Sequence, residues 1–460
     1  MSRAVDFGLP KIAAAERLAH RIAALEAQNL PPAVRAKCED LLIDVIGLCL
    51  VARRTDYVQS ALQGWDDDGP CTVIGHVRTL GAAGAAFVNG TAAHGEDFDD
   101  TFEGGPVHAG AVIVPAVLAA CERHNPDGRA ALLGISVGAE TMCRLSTVAP
   151  TLTHRAGFHP TAVFGAMGAA AGVAAALKLS AHAIVDALGI AGSMASGIIE
   201  YLAEGAWTKR LHAGWAAQSG LRAALLARAG FSGPRTVFEG EHGLFHGFAR
   251  TTAGDYEALT ADFGRRWVME TIAFKPYPCG TMTHPYIDCA RRLGAKLNPD
   301  DVVEMVCEVG EGTVHRLWEP LAAKQAPPNG YAAKFSTPYC IAAGFLRGNV
   351  GLADFTDEAV QDPAVRALAA KVRYAIDPQN PYPKNFTGHI RAVLRDGRAV
   401  EERQPHLRGG AHEPLTRGDL EAKFLLNARH GGWDAARAKA VLQQLGKQFD
   451  GRIDLTALRG

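Results

Sequence analysis

A short acidic segment near the N-terminal fifth of the chain concentrates the side chains that are best suited to chemistry. It holds four carboxylates within five residues, Glu96, Asp97, Asp99 and Asp100, and is flanked by His94 and His108. Four carboxylates this close repel one another, so we expect at least one of them to have a shifted pKa. Such shifts concentrate where acid, base or metal chemistry takes place. The segment therefore predicts a functional site, with a solvated acidic loop as the alternative.

A second polar cluster directly precedes a helix of glycine and alanine. It runs from Arg155 through His159 and Pro160 to Thr161. A helix that starts at Pro-Thr leaves backbone N–H groups that can face a bound anion. The alternative is a surface loop in which Thr161 caps the helix.

A third cluster places two cations and a histidine, Lys209, Arg210 and His212, at the entrance of another helix. These side chains are suited to binding a carboxylate. A solvated basic turn explains them equally well in isolation.

A fourth cluster surrounds Lys275 in the segment Phe274-Lys-Pro-Tyr-Pro-Cys-Gly280. The two prolines restrict the backbone, and a lysine in a stiff aromatic setting can be partly desolvated and act as a base. Cys279 is an alternative acid or base, although a buried structural cysteine is the commoner case. Tyr331 and Lys334, further along the chain, can supply additional donors.

Apolar periodicity predicts helices through most of the first 265 residues, separated by turn signals such as Asn125-Pro-Asp-Gly128. The predicted helices are Ile12–Ala27, Pro32–Val51, Val112–His124, Arg129–Leu145, Ala181–Met194 and Ala213–Ala229. Three apolar runs rich in small residues, 111–121, 163–177 and 187–199, are typical of helices buried on several sides. The longest is shorter than a membrane span requires.

The pattern changes after Lys275. Residues 302–309 alternate as a β-strand does, and residues 390–394 and 398–400 flank Asp396-Gly397 as in a β-hairpin. Helical periodicity returns at residues 416–427 and 433–445. We therefore predict a mainly α fold, in which a smaller α+β lid domain is inserted before the C-terminal helices of a large all-helical domain. The predicted boundaries are residues 1–267, 268–404 and 405–460.

Composition excludes several classes of function. A net charge of −1 gives no field that would attract nucleic acid or an anionic membrane surface, so we predict binding to neither. The nine cysteines never form a CxxC pair, which indicates a reducing compartment and argues against a thiolate zinc site. The N-terminus carries Arg3 and Asp6 without an apolar core and does not look like a signal peptide. These features predict a cytoplasmic protein.

The polar clusters, taken in order, resemble the MmgE/PrpD family, which includes 2-methylcitrate dehydratases, cis-aconitate decarboxylases and iminodisuccinate epimerase. The resemblance covers nearly the whole chain and rests on six motifs: Asn89-Gly-Thr-Ala-Ala-His94, Asp97-Phe-Asp-Asp-Thr101 with His108, Gly157-Phe-His-Pro160, Lys209-Arg-Leu-His212, Lys275-Pro-Tyr-Pro278 and Lys334-Phe-Ser-Thr-Pro-Tyr339. It implies a homodimer of two-domain subunits, a small polycarboxylate substrate, and no cofactor or metal.

The resemblance also implies a set of site residues. By position in the motifs these are Asp97, Thr101, His108, His159, Lys209, Lys275 and Tyr331, and His212 belongs to the same motif as Lys209. Our hypothesis is that Lys275 and His159 transfer protons while Asp97 orients or tunes one of them. The others, namely Thr101, His108, Lys209, His212 and Tyr331, would then hold the carboxylates.

The reactions of these family members begin with negative charge developing on the carbon alpha to a carboxylate. Fixed cations stabilise this charge. The segment Glu103-Gly-Gly-Pro-Val-His108 departs from the His-Pro-Ser/Gly pattern that decarboxylase and dehydratase members share. We therefore favour epimerisation of an amino-dicarboxylate such as iminodisuccinate by a two-base proton transfer. The alternatives are a 2-methylcitrate dehydratase-type hydro-lyase and a cis-aconitate decarboxylase-type carboxy-lyase.

Two other classes of function stay open. The acidic segment with His94 can supply oxygen and imidazole ligands to Mg²⁺ or Fe²⁺, as in a metal-dependent lyase. Against it, Asp97, Asp99 and Asp100 point to different sides of a helix or strand. The other class is a carboxylate-binding protein that retains the fold without turnover.

Overall fold

The computed structural model describes residues 11–125 and 127–460, which form two compact units. The first unit comprises residues 11–95, 99–272 and 416–460, and the second comprises residues 96–98 and 273–415. The residues on which the signal-peptide prediction rested, 1–10, and Pro126 of a predicted turn lie outside the described residues. No sequence pattern indicates that residues 96–98 belong with the second unit.

The first unit is built from helices. From its N-terminal end these are α1 (Ala14–Ala23), α2 (Pro32–Ala52), α3 (Asp56–Gln63), α4 (Ala82–Gly95), α5 (Ala109–His124), α6 (Gly128–Val148), α7 (Leu152–Arg155), α8 (Pro160–Ala176), α9 (Ala181–Met194), α10 (Tyr201–Glu204), α11 (Thr208–Arg228), α12 (Leu244–Ala249) and α13 (Tyr256–Thr260). It also contains the short antiparallel strands β1 (Cys71–Thr72) and β2 (Thr79–Leu80), and β3 (Thr101–Phe102).

The second unit follows the two-residue strand β4 (Ile272–Ala273) and combines helices with one sheet. Its helices are α14 (His284–Gly294), α15 (Glu311–Leu317), α16 (Leu321–Gln325), α17 (Gly330–Ala333), α18 (Thr337–Arg347) and α19 (Pro363–Ala369). Its sheet strands are β5 (Val302–Val309), β6 (Val372–Ile376), β7 (Gly388–Leu394) and β8 (Ala399–Gln404). The chain then returns to the first unit with α20 (Arg417–His430) and α21 (Ala435–Leu445).

The sheet of the second unit has the strand order β6-β5-β7-β8. Strands β5 and β6 are parallel, while β7 pairs antiparallel with both β5 and β8. The predicted hairpin is confirmed, since Ala392 lies opposite Val400 in the β7/β8 register. The alternating residues of β5 bury every second side chain in its C-terminal half, ending at Cys307 and Val309, as a strand with one covered face must.

The predicted mainly α fold class is confirmed, and most predicted helices are present within a few residues of their expected bounds. One expectation was wrong: the apolar run 187–199 is not a single helix, because α9 ends at Met194 and its C-cap Ala195 is extended. Helix α4 was not predicted, because a helix that is buried on nearly all sides shows no amphipathic stripe. Within the described residues, every helix lacks the combined length and apolar character that a membrane crossing requires.

Close helix crossings in the first unit determine where the polar clusters lie. Helix α8 packs against α6 and α11, and α11 also packs against α4. At the α4/α11 crossing, a Cβ on Gly90 would lie 2.7 Å from the Cα of Gly214, and a Cβ on Gly214 would collide with the carbonyl oxygen of Phe87. Only glycine allows this approach. The crossing brings the C-terminal end of α4 close to the N-terminal end of α11.

Candidate functional site

The candidate site residues of the first unit sit at the ends of helices. His94 is the next-to-last residue of α4, His108 precedes α5, and His159 precedes α8. Lys209 and His212 lie in the first two turns of α11. Side chains at helix ends can be placed independently of a helix face, so four helices contribute to one small region.

The four histidines of this region, His94, His108, His159 and His212, form what we call the histidine cluster. The ring of His94 lies 4.9 Å from that of His108 and 5.7 Å from that of His159, with an interplanar angle of 26° for the second pair. His159 and His212 are joined by a contact of 3.1 Å between their Nδ1 atoms. All four residues are buried. The structure therefore brings together three histidines that the family motifs implied for the site and His94, which the sequence placed only in the acidic segment.

The histidine cluster disfavours protonation of two of its members. Burial lowers the pKa of His159 well below its ordinary value, and the positive charges that His212, His94, Lys209 and His108 can carry lower it further. Burial, followed by His94 and Lys209, lowers the pKa of His212 to about 4. Both rings are consequently neutral near pH 7. In their Nδ1 contact one ring donates and the other accepts.

The acidic segment contributes two buried carboxyl groups of different character. Burial and the charge of Asp99 raise the pKa of Asp100 to about 8, although the backbone N–H of Gly110 donates to its Oδ1 at 2.9 Å. This confirms the expectation that at least one carboxyl in the segment is shifted. In contrast, Oδ2 of Asp99 lies 2.6 Å from Nδ1 of His94. A solvated acidic loop, the alternative prediction, was wrong for these fully buried side chains.

The start of α8 differs from the expected arrangement. His159, not Thr161, occupies the N-cap position, and Pro160 is the first helical residue. The hydroxyl of Thr161 accepts a hydrogen bond from the backbone N–H of His108 at 3.3 Å. Thr161 thus connects two members of the region, and the prediction that it caps the helix was wrong.

Within residues 11–125 and 127–460, His94, Asp99 and His108 form a group that could hold a metal ion, because each offers a ligand atom within 4.8 Å of the others. The Nδ1 atoms of both histidines are already engaged, however: that of His94 by Asp99 and that of His108 by the carbonyl oxygen of Asp100, each at 2.6 Å. A metal ion bound through them would have to displace two short hydrogen bonds. The absence of a metal stays a prediction.

An open pocket of about 720 Å³ lies beside the histidine cluster in the first unit. Its wall includes Ala162, Ser196, Tyr201, Leu211, His212 and Trp215. The ring centroid of Tyr201 lies 5.7 Å from that of His212 and 6.3 Å from that of His159. The pocket therefore reaches the cluster through His212.

In the second unit, Lys275 forms a buried ion pair with Asp97. Its Nζ donates to Oδ1 of Asp97 at 2.6 Å and to the carbonyl oxygen of the same residue at 3.0 Å. Asp97 has a left-handed φ of 56°, a conformation that non-glycine residues adopt at a cost and that is common at functional sites. The sequence predicts that Asp97 orients or tunes either Lys275 or His159, and these roles stay predictions.

A similar pair, absent from the predicted catalytic set, lies one residue earlier along the acidic segment. Nζ of Lys334 donates to the carbonyl oxygen of Glu96 at 2.5 Å and to its Oε2 at 2.8 Å. Both lysines are 2% exposed. Lys334 opens the sixth motif, but nothing in the spacing indicates which of the four carboxylates it contacts.

Cys279 remains open as an alternative acid or base. Burial alone would raise the pKa of its thiol, but a hydrogen bond with Cys340 and the nearby His284 and Lys275 outweigh burial and lower it. The side chain is fully buried. Nε2 of His284 lies 3.1 Å from the carbonyl oxygen of Cys279, so the imidazole ring is held next to Cys279.

The remaining predicted residues are found in separate elements. Thr101 is buried in β3, Lys209 is 8% exposed, and Tyr331 lies in α17 with its ring 5.5 Å from that of Phe335. Thr101 and Lys209 belong to the first unit, whereas Tyr331 belongs to the second.

Comparison with known proteins gives matches over most of the chain. Residues 16–256 match the model of the MmgE/PrpD N-terminal domain, and residues 277–447 match that of the MmgE/PrpD C-terminal domain. The chain is 30% identical to the cis-aconitate decarboxylase of Homo sapiens over 97% of its own length and 94% of the relative's. It is 30% identical to that of Mus musculus, over 90% and 86% of the two chains. A cis-aconitate decarboxylase-like protein, oryM of Aspergillus oryzae, is 28% identical over 88% and 89%.

Proposed function

Because the chain belongs to the MmgE/PrpD family, we propose that it is a cofactor-independent carboxy-lyase that removes CO₂ from a small polycarboxylate, with cis-aconitate as the first candidate. The observation that carries this proposal is the match along nearly the full chain to proteins named as cis-aconitate decarboxylases. The epimerase that we favoured from the sequence receives no support from these relatives. They favour the carboxy-lyase alternative instead.

The proposed reaction needs a proton donor and fixed positive charge. Loss of CO₂ from the CH₂-carboxylate of cis-aconitate leaves two electrons in an allylic carbanion that is conjugated with a remaining carboxylate. Addition of one proton at the far end of the allyl system then gives itaconate. Cations near the remaining carboxylates lower the barrier because negative charge develops there in the transition state.

Lys275 is the proposed proton donor. Its Nζ lies 2.6 Å from Oδ1 of Asp97 in a buried ion pair. In the proposed step the ammonium group of Lys275 donates a proton to the carbanion, and Asp97 holds the lysine in position. To act as a base, as the epimerase hypothesis requires, Lys275 would first have to release its proton.

The residues of the first unit are proposed to bind the substrate. Lys209 supplies a cation, and His108, His212 and Thr101 supply hydrogen bonds to carboxylate oxygens. Neutral His159 is proposed as the acceptor or relay of a proton, because burial and its neighbours keep it unprotonated. Tyr331 is proposed as a further hydrogen-bond donor.

Epimerisation stays the second candidate, and one observation favours it. The residues before His108 depart from the pattern of decarboxylase and dehydratase members, while the two proposed proton-transfer residues are both present. A neutral imidazole and a lysine give the two different proton carriers that a two-base mechanism uses.

Proton NMR in D₂O separates these reactions. The purified, EDTA-treated protein would be incubated separately with cis-aconitate, 2-methylcitrate and stereoisomers of iminodisuccinate. From cis-aconitate we expect itaconate with deuterium in its saturated CH₂ group. An olefinic product from 2-methylcitrate would instead establish a hydro-lyase. Deuterium exchange with interconversion of the iminodisuccinate stereoisomers would establish the epimerase, and both outcomes contradict the carboxy-lyase proposal.

A matched pair of variants tests the proton donor. Lys275→Met removes a buried ammonium group at the proposed site, and Lys334→Met removes the neighbouring one. Both changes leave a carboxylate of the acidic segment without its lysine. If Lys275 is the donor, only its variant abolishes turnover beyond what the shared loss of stability explains.

The homodimer and the cytoplasmic location are part of the same proposal. Several large apolar side chains are exposed on the first unit near the pocket, among them Ile198 at 61%, Trp207 at 48% and Trp215 at 42%. Apolar side chains of this size are commonly covered in an assembly. Light scattering of the purified chain would give twice the monomer mass if the homodimer forms.

A further inference from the structure

The roles proposed above leave most of the open pocket in the first unit unexplained, because His212 is the one residue of its lining to which they give a function. Three polar side chains of the lining, Ser196, Glu200 and Thr208, are exposed and lie at the mouth. The wall between the mouth and His212 is apolar or aromatic, and it is formed by Ala162, Ile198, Tyr201, Leu211 and Trp215. The pocket therefore offers apolar surface next to a buried imidazole.

The aromatic side chains of this wall are held in place by other rings. Trp215 of α11 packs edge-on against Phe87 of α4, with 6.4 Å between the ring centroids and an interplanar angle of 88°. Phe87 in turn stacks on Trp65 at 5.1 Å. The ring of Tyr201 meets that of His212 at 5.7 Å and an angle of 71°. Aromatic pairs of these geometries are favourable, so the wall is formed before a ligand binds.

The backbone of the pocket wall is joined to the start of α8. The N–H of His159 donates to the carbonyl oxygen of Gly197 at 2.8 Å. Gly197 has a left-handed φ of 114°, and a Cβ at this position would collide with that of Ala162 and lie 3.5 Å from Nδ1 of His212. Glycine thus keeps the inner end of the pocket clear at the His212 ring. A group that fills the pocket is consequently held one backbone hydrogen bond away from His159.

The charges of the lining do not suit a bare polycarboxylate. Among the described residues that line the pocket, none is a lysine or an arginine. His212 is neutral near pH 7 because burial, His94 and Lys209 lower its pKa to about 4, and Glu200 is an acidic residue. A carboxylate placed against the apolar wall loses hydration without gaining a cation, which is unfavourable. An apolar group instead displaces water from the wall, which is favourable.

The size of the pocket leads to the same conclusion. Its volume of about 720 Å³ lies in the range of about 300–1,000 Å³ that is typical of pockets for drug-sized ligands. A compact tricarboxylate such as cis-aconitate has no group that could fill this space while Lys209 and the histidine cluster hold its carboxylates. A substituent on the carbon skeleton of the substrate has both the size and the chemistry.

We propose that the substrate is a polycarboxylate that carries an apolar substituent larger than a methyl group. The substituent lies against Ile198, Leu211 and Trp215, while the carboxylates face Lys209 and the histidine cluster. These three apolar side chains are then specificity-determining residues. The preference in turnover rests on the proposed function, whereas the preference in binding does not, because it can be measured with an unreactive dicarboxylate.

The direct test is calorimetric titration of the full-length protein at pH 7 with succinate, butylsuccinate and hexanol. The two acids lack the double bond that the proposed decarboxylation requires, so they report binding alone. Each buried methylene should tighten binding about fourfold, and we expect butylsuccinate to have a Kd about tenfold or more below that of succinate. Hexanol, which has the chain without the carboxylates, should bind more weakly than butylsuccinate. Equal Kd values for succinate and butylsuccinate, or for butylsuccinate and hexanol, would overturn the proposal.

A matched pair of variants locates the bound chain. Ile198 lines the pocket and is 61% exposed, whereas Phe231 lies outside the lining of the pocket and is 60% exposed, so a polar residue at either position leaves the core intact. Ile198→Asn should raise the Kd of butylsuccinate about fivefold and leave that of succinate unchanged, because it removes apolar contact area. Phe231→Asn should change neither. Equal losses in both variants would place the chain on exposed apolar surface in general and contradict the proposal.

A second copy of the chain is the competing occupant of this wall. Light scattering at the concentrations of the titration shows which assembly binds the ligand. Butylsuccinate should bind whatever the assembly is. If it binds only when the protein is diluted to monomers, the wall belongs to a subunit contact and the proposal is wrong.

Turnover separates failure of this inference from failure of the proposed function. In the D₂O assay, a butyl-substituted cis-aconitate should have a kcat/KM about tenfold or more above that of cis-aconitate, because binding energy from a remote group raises kcat/KM. Tighter binding of butylsuccinate without decarboxylation of either aconitate would preserve the inference and reject the proposed function. Decarboxylation of both aconitates at equal kcat/KM, with equal Kd values for the two succinates, would preserve the function and reject the inference.

Discussion

The histidine cluster of the first unit and the lysine pairs of the second unit are both buried, but they differ in the charges that lie next to their basic groups. Burial lowers the pKa of His159 strongly, and four neighbouring cations or potential cations lower it further, with no carboxylate among the causes. Lys275 and Lys334 instead each have a carboxylate oxygen within 2.8 Å of Nζ. These two buried regions therefore place charges of opposite sign next to their basic groups.

The two regions are suited to different steps of a reaction. Neutral imidazoles can accept protons and form hydrogen bonds to carboxylates, whereas lysine ammonium groups can donate protons. A decarboxylation that ends with protonation needs a donor, and a two-base epimerisation needs at least one acceptor. The predictions below alter one side of the comparison at a time.

The largest effect is expected at Lys275. Lys275→Met should lower kcat/KM for the accepted substrate by about a thousandfold, because general acids typically contribute a hundredfold to ten-thousandfold. Lys334→Met should lower it far less while destabilising the fold to a similar extent. Steady-state kinetics, with thermal unfolding of both variants, provide the measurement. Equal losses of activity would mean that the two pairs are not functionally different.

A smaller loss is expected at His159. His159→Gln retains polar atoms but cannot carry a proton, and it should lower kcat about a hundredfold with a smaller change in KM. The comparison variant is His20→Gln, an exposed histidine of the same unit that should behave as the unchanged protein. A rise in KM without a fall in kcat would show that His159 only binds substrate.

Asp100 should make stability depend on pH in one direction. Its folded-state pKa, about 8, lies above the unfolded value, so the folded state binds the proton more tightly and stability falls as pH rises from about 4 to 8. Asp100→Asn removes this pH dependence. The free energy of unfolding of the variant, relative to that of the unchanged protein, should therefore rise by up to about 1.4 kcal/mol per pH unit. Urea unfolding at several pH values measures it. Asp66→Asn, an exposed carboxyl, should show no such trend.

His212 should make folding stability depend on pH in the opposite direction and over a shorter pH range. Its folded-state pKa of about 4 lies below the ordinary value of 6.5, so the unfolded state binds the proton more tightly in between. Stability contributed by neutral His212 is complete above about pH 6.5 and is lost as pH falls towards 4. His212→Gln should therefore unfold less steeply on acidification than the unchanged protein. An identical acid dependence would indicate that His212 is protonated in the folded state.

The contrast between the two regions also marks how far the sequence could predict the site. Periodicity located helices such as α1 and α9 and the β7/β8 hairpin, because amphipathic spacing and turn residues act over a few positions. Helix α4 was missed, because Ala82–Gly95 is buried on all sides and has no polar face to set a period. Its last polar residue, His94, was consequently noted in the acidic segment but not assigned to the cluster.

The sequence by itself determined the mainly α class, the set of polar clusters and the family to which their order belongs, because these depend on local spacing and on motifs. It also indicated that the acidic segment must contain a shifted carboxyl. Only the tertiary structure decided which carboxyl it is. Asp97 and Glu96 pair with lysines, Asp99 pairs with His94, and Asp100 stays protonated. Neighbouring residues separate in this way because each pKa depends on charges brought within a few ångströms by elements that lie far apart in the chain.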